Sequence, residues 1–427
     1  MKTLVIGTGG REHALALALS RDPAVSEVHA APGNPGIGAF ATLHDVDPMD
    51  GTAVAALAAQ VGADLVVIGP EAPLVAGVAD VVRAAGTAVF GPSQAAARLE
   101  GSKAFSKEVM AAAGVPTAGS RTCRTPEEVA AALDEFGAPY VVKDDALAAG
   151  KGVVVTRDRA EAEAHAAACG TVVIEEFLDG PEVSLFAVCD GTTAHPLQPA
   201  QDFKRIFDGG RGPNTGGMGS YSPLAWAPAD LAATVVETVV QPTLDEMGRR
   251  GAPFVGCLYV GLALTAAGPR VIEFNCRFGD PDIQPVLAVL ESPLGELLAA
   301  AARGRLADVP APTFRDAASV TVVLASAGYP ESSSKGDVIT GVGAANGVAD
   351  VDVIHAGTAL AEGPDGQQLV TAGGRVLAVR AVGYDVADAR ARAYAAADLI
   401  TFDGLQRRSD IAAEPLGVVE GASLTED

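Results

Sequence analysis

Lysine is scarce in this chain. Only Lys2, Lys103, Lys107, Lys143, Lys151, Lys204 and Lys335 occur in 427 residues, and arginine supplies the rest of the 30 basic side chains. Acidic residues number 53, so the formal charge is −23. That balance argues against a nucleic-acid partner and against docking on anionic membranes. Cysteine is sparse too: Cys123, Cys169, Cys189, Cys257 and Cys276 form no CxxC pair and no zinc-like spacing with histidine. A reduced, cytoplasmic setting is expected. No apolar run is long enough for a bilayer span, and the opening Met1-Lys2-Thr3-Leu4-Val5-Ile6-Gly7 enters a glycine turn instead of a leader peptide. No GxSxG string is present, and none of the six histidines sits in a triad-like setting, which removes a protein nucleophile from consideration.

What the chain does have is apolar mass. It is 49% hydrophobic and 19% charged, enough for several domains of ordinary size and unlike a disordered protein. The first hundred residues alternate strand and helix: short apolar strands at 4–6, 27–30, 65–68 and 89–90 each end in a Gly/Pro turn. This pattern predicts a parallel sheet with helices on both faces, whose ligands bind beyond the strand carboxyl ends. The first turn, Gly7-Thr8-Gly9-Gly10, matches two glycines of a dinucleotide fingerprint, but Glu12 occupies the third position and the second strand lacks a ribose-binding acid. A nicotinamide or flavin site is therefore not expected, although amides at a helix start suit a single phosphate.

From Ser102 the character changes to α+β. Strands are predicted at 140–143, 153–156 and 172–176, with helices at 126–136 and 159–168. A second, antiparallel sheet is expected from 182–189, 256–264 and 270–276, with Ala266-Ala267-Gly268 as a hairpin turn. Beyond about residue 317, strands at 320–324 and 375–382 and a helix near 388–397 read as a small closing domain without clustered chemistry. The division expected is 1–102, 103–316 with a mobile flap at about 116–180, and 317–427.

The few lysines mark the chemistry. Lys143 ends an apolar strand, Lys151 lies between Gly150 and Gly152, and Lys204 sits beside Arg205. Residues 146–153 are not a P-loop, because Asp145 and Gly152 stand where Gly and Ser/Thr are needed and a strand follows. A flap laying backbone amides and Lys151 over a triphosphate fits better. Asp202-Phe203-Lys204-Arg205, followed by Gly212-Pro213-Asn214-Thr215-Gly216-Gly217-Met218-Gly219, places cations ahead of a glycine-rich loop suited to close approach of an anion. In Glu273-Phe274-Asn275-Cys276-Arg277-Phe278, strand alternation gives Glu273, Asn275 and Arg277 one face and the apolar residues the other. Two oxygen ligands two residues apart suit magnesium that keeps places for phosphate, and Arg277 suits a carboxylate or phosphate. Alone, such a string reads more readily as a half-buried strand with a polar face.

Together these strings resemble the phosphoribosylamine–glycine ligase family of ATP-grasp enzymes over essentially the whole chain. The resemblance is carried by residues 5–14 (VIGTGGREHA), 69–74 (GPEAPL), 99–105 (LEGSKAF), 212–219 (GPNTGGMG) and 273–282 (EFNCRFGDPD). It implies a Rossmann-like N-terminal domain, ATP-grasp central domains and a small C-terminal α+β domain. It implies ligation of glycine to 5-phosphoribosylamine in purine biosynthesis, with ATP as co-substrate and Mg2+ or Mn2+ as metal. The matching positions make Lys103, Lys143, Lys151 and Gly152 phosphate contacts, Glu175, Glu176, Phe177 and Leu178 the adenine hinge, and Glu182 the ribose acid. Glu273 and Asn275 match the metal ligands. Arg277, Lys204, Asn214 and Thr215 are the catalytic candidates. Gly9, Gly10, Arg11, Glu12, His13, Glu71, Asp202, Gly217 and Met218 are the substrate-binding candidates. The partners expected are small molecules only, for a monomer. Three departures stand out: Asp144 after Lys143, only Cys169-Gly170 where a longer loop is common, and Asp282-Ile283 in place of Glu-Thr.

Overall fold

The structure is a computed structural model that describes residues 1–146, 152–364 and 366–413. The N-terminal sheet is wholly parallel, in the order Thr42–Leu43, Glu27–Pro32, Lys2–Gly7, Leu65–Ile68, Val89–Phe90. Its middle strand is buried on both faces. Leu4 and Ile6 pack with Val54 and Leu57 of the helix Gly51–Val61, while Val5 turns the other way toward Leu15. That second core continues without a break into Phe186, Val188 and Phe278 of the central domain, which fuses the two units. Strand order reverses across Lys2–Gly7, so the crevice opens above Gly7 and Gly9.

The flap module is a four-stranded antiparallel sheet, Ser120–Cys123, Val172–Glu175, Tyr140–Asp144, Val153–Thr156. Helices Pro126–Phe136 and Arg159–Ala168 cover one face, meeting Val142 and Ile174. Pleating sends Val141 and Lys143 to the opposite face, which looks into the cleft beside Val153 and Val155. Asp144 does not line the cleft, and its charge raises the Cys169 thiol behind burial as the larger cause.

The central sheet runs Ala194–Pro196, Glu182–Asp190, Val255–Thr265, Gly268–Asn275, antiparallel throughout, and Thr265 pairs with Gly268 at the expected hairpin. The next sheet was not anticipated. Gln201–Asp202 and Gly219–Ser222, which flank the glycine-rich loop, join Ala318–Ala325, Arg375–Gly383 and Val351–His355 in one antiparallel sheet. The C-terminal segment is thereby hydrogen-bonded into the wall of the cleft. No helix among the described residues is long and apolar enough to cross a membrane.

Candidate active site

A cleft of about 430 Å³ lies between the flap sheet, the strand Gly268–Asn275, the helix Lys103–Ala113 and the loop after Lys204. Its inner wall is apolar, with Val141, Val153 and Val155 on the flap side and Met110 and Ile272 on the body side. Phe177 and Leu178 close one end, where the strand Val172–Glu175 has ended and Glu182–Asp190 has not begun. This is an apolar slot of the kind that suits an aromatic base.

Cations gather in the same cleft. Lys103 is the first residue of its helix, whose start is capped by the Ser102 hydroxyl accepting from the Phe105 amide at 3.1 Å. Asp145 accepts from the Ala104 amide at 2.9 Å, tying the flap strand to that helix start. Lys143 is only 3% exposed and is held by Glu175 Oε2 and the Ile272 carbonyl, both at 2.9 Å. Lys204 pairs with Glu182. Burial alone would lower the Lys204 ammonium, but Glu182, then Tyr259 and Glu273, hold it well above its ordinary value.

Glu273 and Asn275 line the same cleft, while Phe274, Cys276 and Phe278 are buried in core. Burial by itself would raise the Glu273 carboxyl. Lys204, Lys143 and Lys103 together outweigh it and keep Glu273 ionised, with the Asn275 amide donating at 3.4 Å. Among the described residues no three His, Cys, Asp or Glu side chains gather as metal ligands. Two hard oxygen donors beside three ammonium groups fit a divalent cation that arrives with phosphate oxygens.

Arg277 is already engaged. It meets Glu71 at 3.3 Å and Glu100 at 3.1 Å, and these carboxylates push its guanidinium upward against the larger effect of burial. Glu100 also accepts the Cys276 amide at 2.7 Å. Burial, the dominant cause, raises the Glu100 carboxyl, whereas Arg277 and Arg11 bring Glu71 below its ordinary value against burial. Arg11 reaches the cleft, with Glu12 Oε1 at 2.5 Å and the Phe278 carbonyl at 3.2 Å.

Glu12 itself faces inward. Its Oε2 accepts the Gly9 amide at 2.6 Å, and a Cβ on Gly69 would lie 2.0 Å from its Oε1. The glutamate thus fills the turn where a dinucleotide pyrophosphate would approach. Gly9 and Gly10 lie below the cleft, close to the Asp280 carboxylate, and do not line it. Nor does His13: its Nδ1 accepts the His355 amide at 2.9 Å at the seam with the C-terminal domain.

Of the glycine-rich loop, Asn214, Thr215 and Gly216 face the cleft, as does Asp202 ahead of it. Thr215 braces the loop, donating to the Lys204 carbonyl at 2.8 Å and accepting the Gly217 amide at 2.9 Å. Gly217, at φ +107, has no room for a side chain, because a Cβ would lie 2.4 Å from Pro281. Met218 is fully buried in the core. Gly152, Glu175, Glu176 and Glu182 line the cleft with the groups above; Lys151 and residues 147–150 lie outside the described residues.

Four further residues belong to this cleft. Glu100 belongs to the LEGSKAF string of residues 99–105 and carries no local signal of its own. Lys107 follows Lys103 by four positions, a helical spacing that brings both to one face. Asp280 accepts from Arg375 at 2.9 Å, and Arg375 also donates to the Asp280 carbonyl at 2.6 Å and to the Gly216 carbonyl. Arg375 opens an apolar strand far along the chain, and no local pattern marks it.

Family models for the N domain, the ATP-grasp (A) domain and the C domain of phosphoribosylglycinamide synthetase match residues 1–100, 101–283 and 319–414. The phosphoribosylamine–glycine ligase of Streptomyces coelicolor is 62% identical over 98% of this chain and 100% of its own length. The chain belongs to this family. Its counterpart from Mycobacterium tuberculosis is 56% identical, covering 96% of this chain and 97% of the relative. Among solved structures, the family's Thermotoga maritima ligase superposes with a TM-score of 0.83 at 34% identity, covering 96% of this chain and 100% of that one. Biotin carboxylase from Campylobacter jejuni shares the fold, with a TM-score of 0.71 at 15% identity over 95% of this chain and 92% of its own. The multidomain architecture is therefore that of the ATP-grasp enzymes, as the family strings implied.

Proposed function

We propose that this chain is an ATP-dependent carbon–nitrogen ligase that joins glycine to 5-phosphoribosylamine, the glycinamide-ribonucleotide-forming step of purine biosynthesis. The observation that carries the reading is the gathering of Lys103, Lys143 and Lys204 around an ionised Glu273 in one cleft with an apolar slot. Adenine lies in that slot against Phe177 and Leu178, with the Glu175–Glu176 backbone at its edge and Glu182 at the ribose. The lysines, with Lys151 and Gly152 of the flap, take the phosphates. Glu273 and Asn275 would hold a divalent ion, Mg2+ or Mn2+, which when bound would supply positive charge beside the transferring phosphoryl group.

A glycine carboxylate oxygen attacks the γ-phosphorus and the bond to the β,γ-bridging oxygen breaks, giving glycyl phosphate and ADP. The amine of phosphoribosylamine then attacks the acyl carbon. The carbon–oxygen bond to phosphate breaks, and the amine's proton leaves with the phosphate. Lys204, Asn214 and Thr215 position the acyl phosphate and stabilise its charge. Arg277 is fixed by Glu71 and Glu100 before substrate arrives, so it presents an oriented guanidinium to the glycine carboxylate. Arg11, Glu71 and Asp202 face the phosphoribosylamine. The chain works as a cytoplasmic monomer on small molecules alone.

The test is ADP formation with ATP, magnesium, glycine and freshly generated phosphoribosylamine, each omitted singly. ADP release should require every component for sustained turnover. Undiminished release without glycine or without the amine would refute the assigned substrates.

A further inference from the structure

Lys107 lies one turn beyond Lys103 on the same helix, and all three of its N–H donors are taken. They go to Glu175 Oε1 at 3.2 Å, Thr117 Oγ1 at 2.9 Å and the Ala118 carbonyl at 3.3 Å. The other oxygen of Glu175 holds Lys143 at 2.9 Å. Side-chain exposure is 10% for Lys107 and 4% for both Glu175 and Lys143, so one buried carboxylate is shared by two buried ammonium groups. At pH 7, below the value of about 8 to which burial lowers the Lys107 ammonium, the trio carries a net charge of about +1 where a Lys143–Glu175 pair alone would carry none. Lys143 spends one further donor on the Ile272 carbonyl. Its third donor has no partner among the described residues. Lys107 also joins the body helix to the linker at Thr117 and Ala118 and to the flap strand Val172–Glu175, which fixes where Glu175 sits.

We propose that Lys107 is a positioning residue for the nucleotide: it takes half of the Glu175 charge, and Lys143 is thereby left as net positive charge facing the triphosphate. The inference rests on the reading of this cleft as an ATP site. Lys107 touches no phosphate itself. Its effect runs through Glu175, so it depends on charge balance and not on the lysine as such. Removing Lys107 alone returns the pair to zero charge. Removing the Glu175 charge as well restores +1, and glutamine keeps the backbone and shape of the hinge.

ATP affinity, measured by calorimetry with magnesium and without glycine, is compared for wild type, Lys107→Met and Lys107→Met/Glu175→Gln. Lys107→Met should weaken ATP by about tenfold or more, and the double variant should recover to within about threefold of wild type. The KM for glycine should stay unchanged in both. A double variant as weak as Lys107→Met, or an unaltered affinity in Lys107→Met, would overturn the inference while leaving the ATP site standing. Wild-type protein that fails to bind ATP would overturn the site itself and this inference with it. Should Lys107→Met not fold, the charge-balanced double variant still decides, since affinity lowered tenfold there contradicts the charge argument.

Discussion

The seam between the N- and C-terminal domains should make this protein acid-sensitive through two histidines. His13 and His355 stack at 5.6 Å, with rings inclined by 27°, and Phe40 lies 5.5 Å from His13. His13 Nδ1 must be unprotonated to accept the His355 amide, and His355 Nδ1 shares a proton with Thr358 at 3.0 Å. Burial, foremost, then His355 and Arg380 lower the His13 imidazole to about 3, with Asp352 opposing. Burial alone brings His355 down to about 4. Both folded values lie below the ordinary value of 6.5, so the unfolded chain binds more protons as pH falls through that value. The stabilisation is therefore complete above about pH 7 and is lost progressively on acidification. At pH 5 each histidine forfeits about 2 kcal/mol, or about 4 kcal/mol for the pair. Replacing His13 by asparagine keeps an acceptor near Nδ1 and removes the titration. Urea unfolding followed by circular dichroism at pH 7.5 and pH 5 gives the loss for each protein. The variant should lose about 2 kcal/mol less than wild type over this interval, whatever its own cost at pH 7.5. Other titrating groups cancel in the comparison. Parallel pH dependences would refute the claim that His13 is held neutral at this seam.

Three more outcomes are expected. Glu273→Ala should lower kcat by about 10²- to 10³-fold or more with an unchanged circular dichroism spectrum, and wild-type turnover would refute its place at the metal. Arg375→Lys keeps the charge but cannot fork between the Asp280 carboxylate and the two carbonyls, so KM for glycine or the amine should rise about tenfold while ATP affinity holds. Equal KM values would mean that pinning the loop is unimportant. Gly69→Ala should cost about 2 kcal/mol or more in urea unfolding at pH 7.5, because both Glu12 oxygens are already held, by Gly9 and Arg11; an unmoved midpoint would show that Glu12 yields freely.

Fold was legible where one stretch of chain carries its own reason. The strand Leu65–Ile68 is an unbroken apolar run ended by Gly69-Pro70 because both its faces are covered. The helix Pro126–Phe136 announces itself through the Thr125/Glu128 capping box and Pro126 at its first position, and Arg159–Ala168 through the Asp158 cap. Thr42–Leu43 is a two-residue exposed edge, and Ser120–Cys123 an edge strand with polar residues, so neither carries a periodic signal. The sheet shared by Gly219–Ser222 and Ala318–Ala325 depends on pairing across a long separation, which no local pattern encodes. The same division holds in the cleft. Glu273, Asn275 and Arg277 declare their common face through strand alternation. Arg375 sits 95 residues from Asp280, and only the assembled sheet brings them together.

Those distant partners also explain how a chain of charge −23 presents cations to a triphosphate. Buried and half-buried cations of the cleft have carboxylates: the buried Lys143 and Lys107 share Glu175, while the more exposed Lys204 has Glu182, Arg277 has Glu71 and Glu100, and Arg375 has Asp280. An unpaired ammonium or guanidinium at that depth would be too costly to desolvate, and a lysine would shed its proton instead. Pairing opposes that loss and aims each one before any ligand arrives, even at Lys107, where burial still brings the ammonium down to about 8. The same carboxylates set how much positive charge remains for the nucleotide, which is why the balance at Glu175 matters more than the count of lysines. Acidic composition and anion binding are then parts of one arrangement: without acids in the cleft wall, the lysines could not be buried where the reaction needs them.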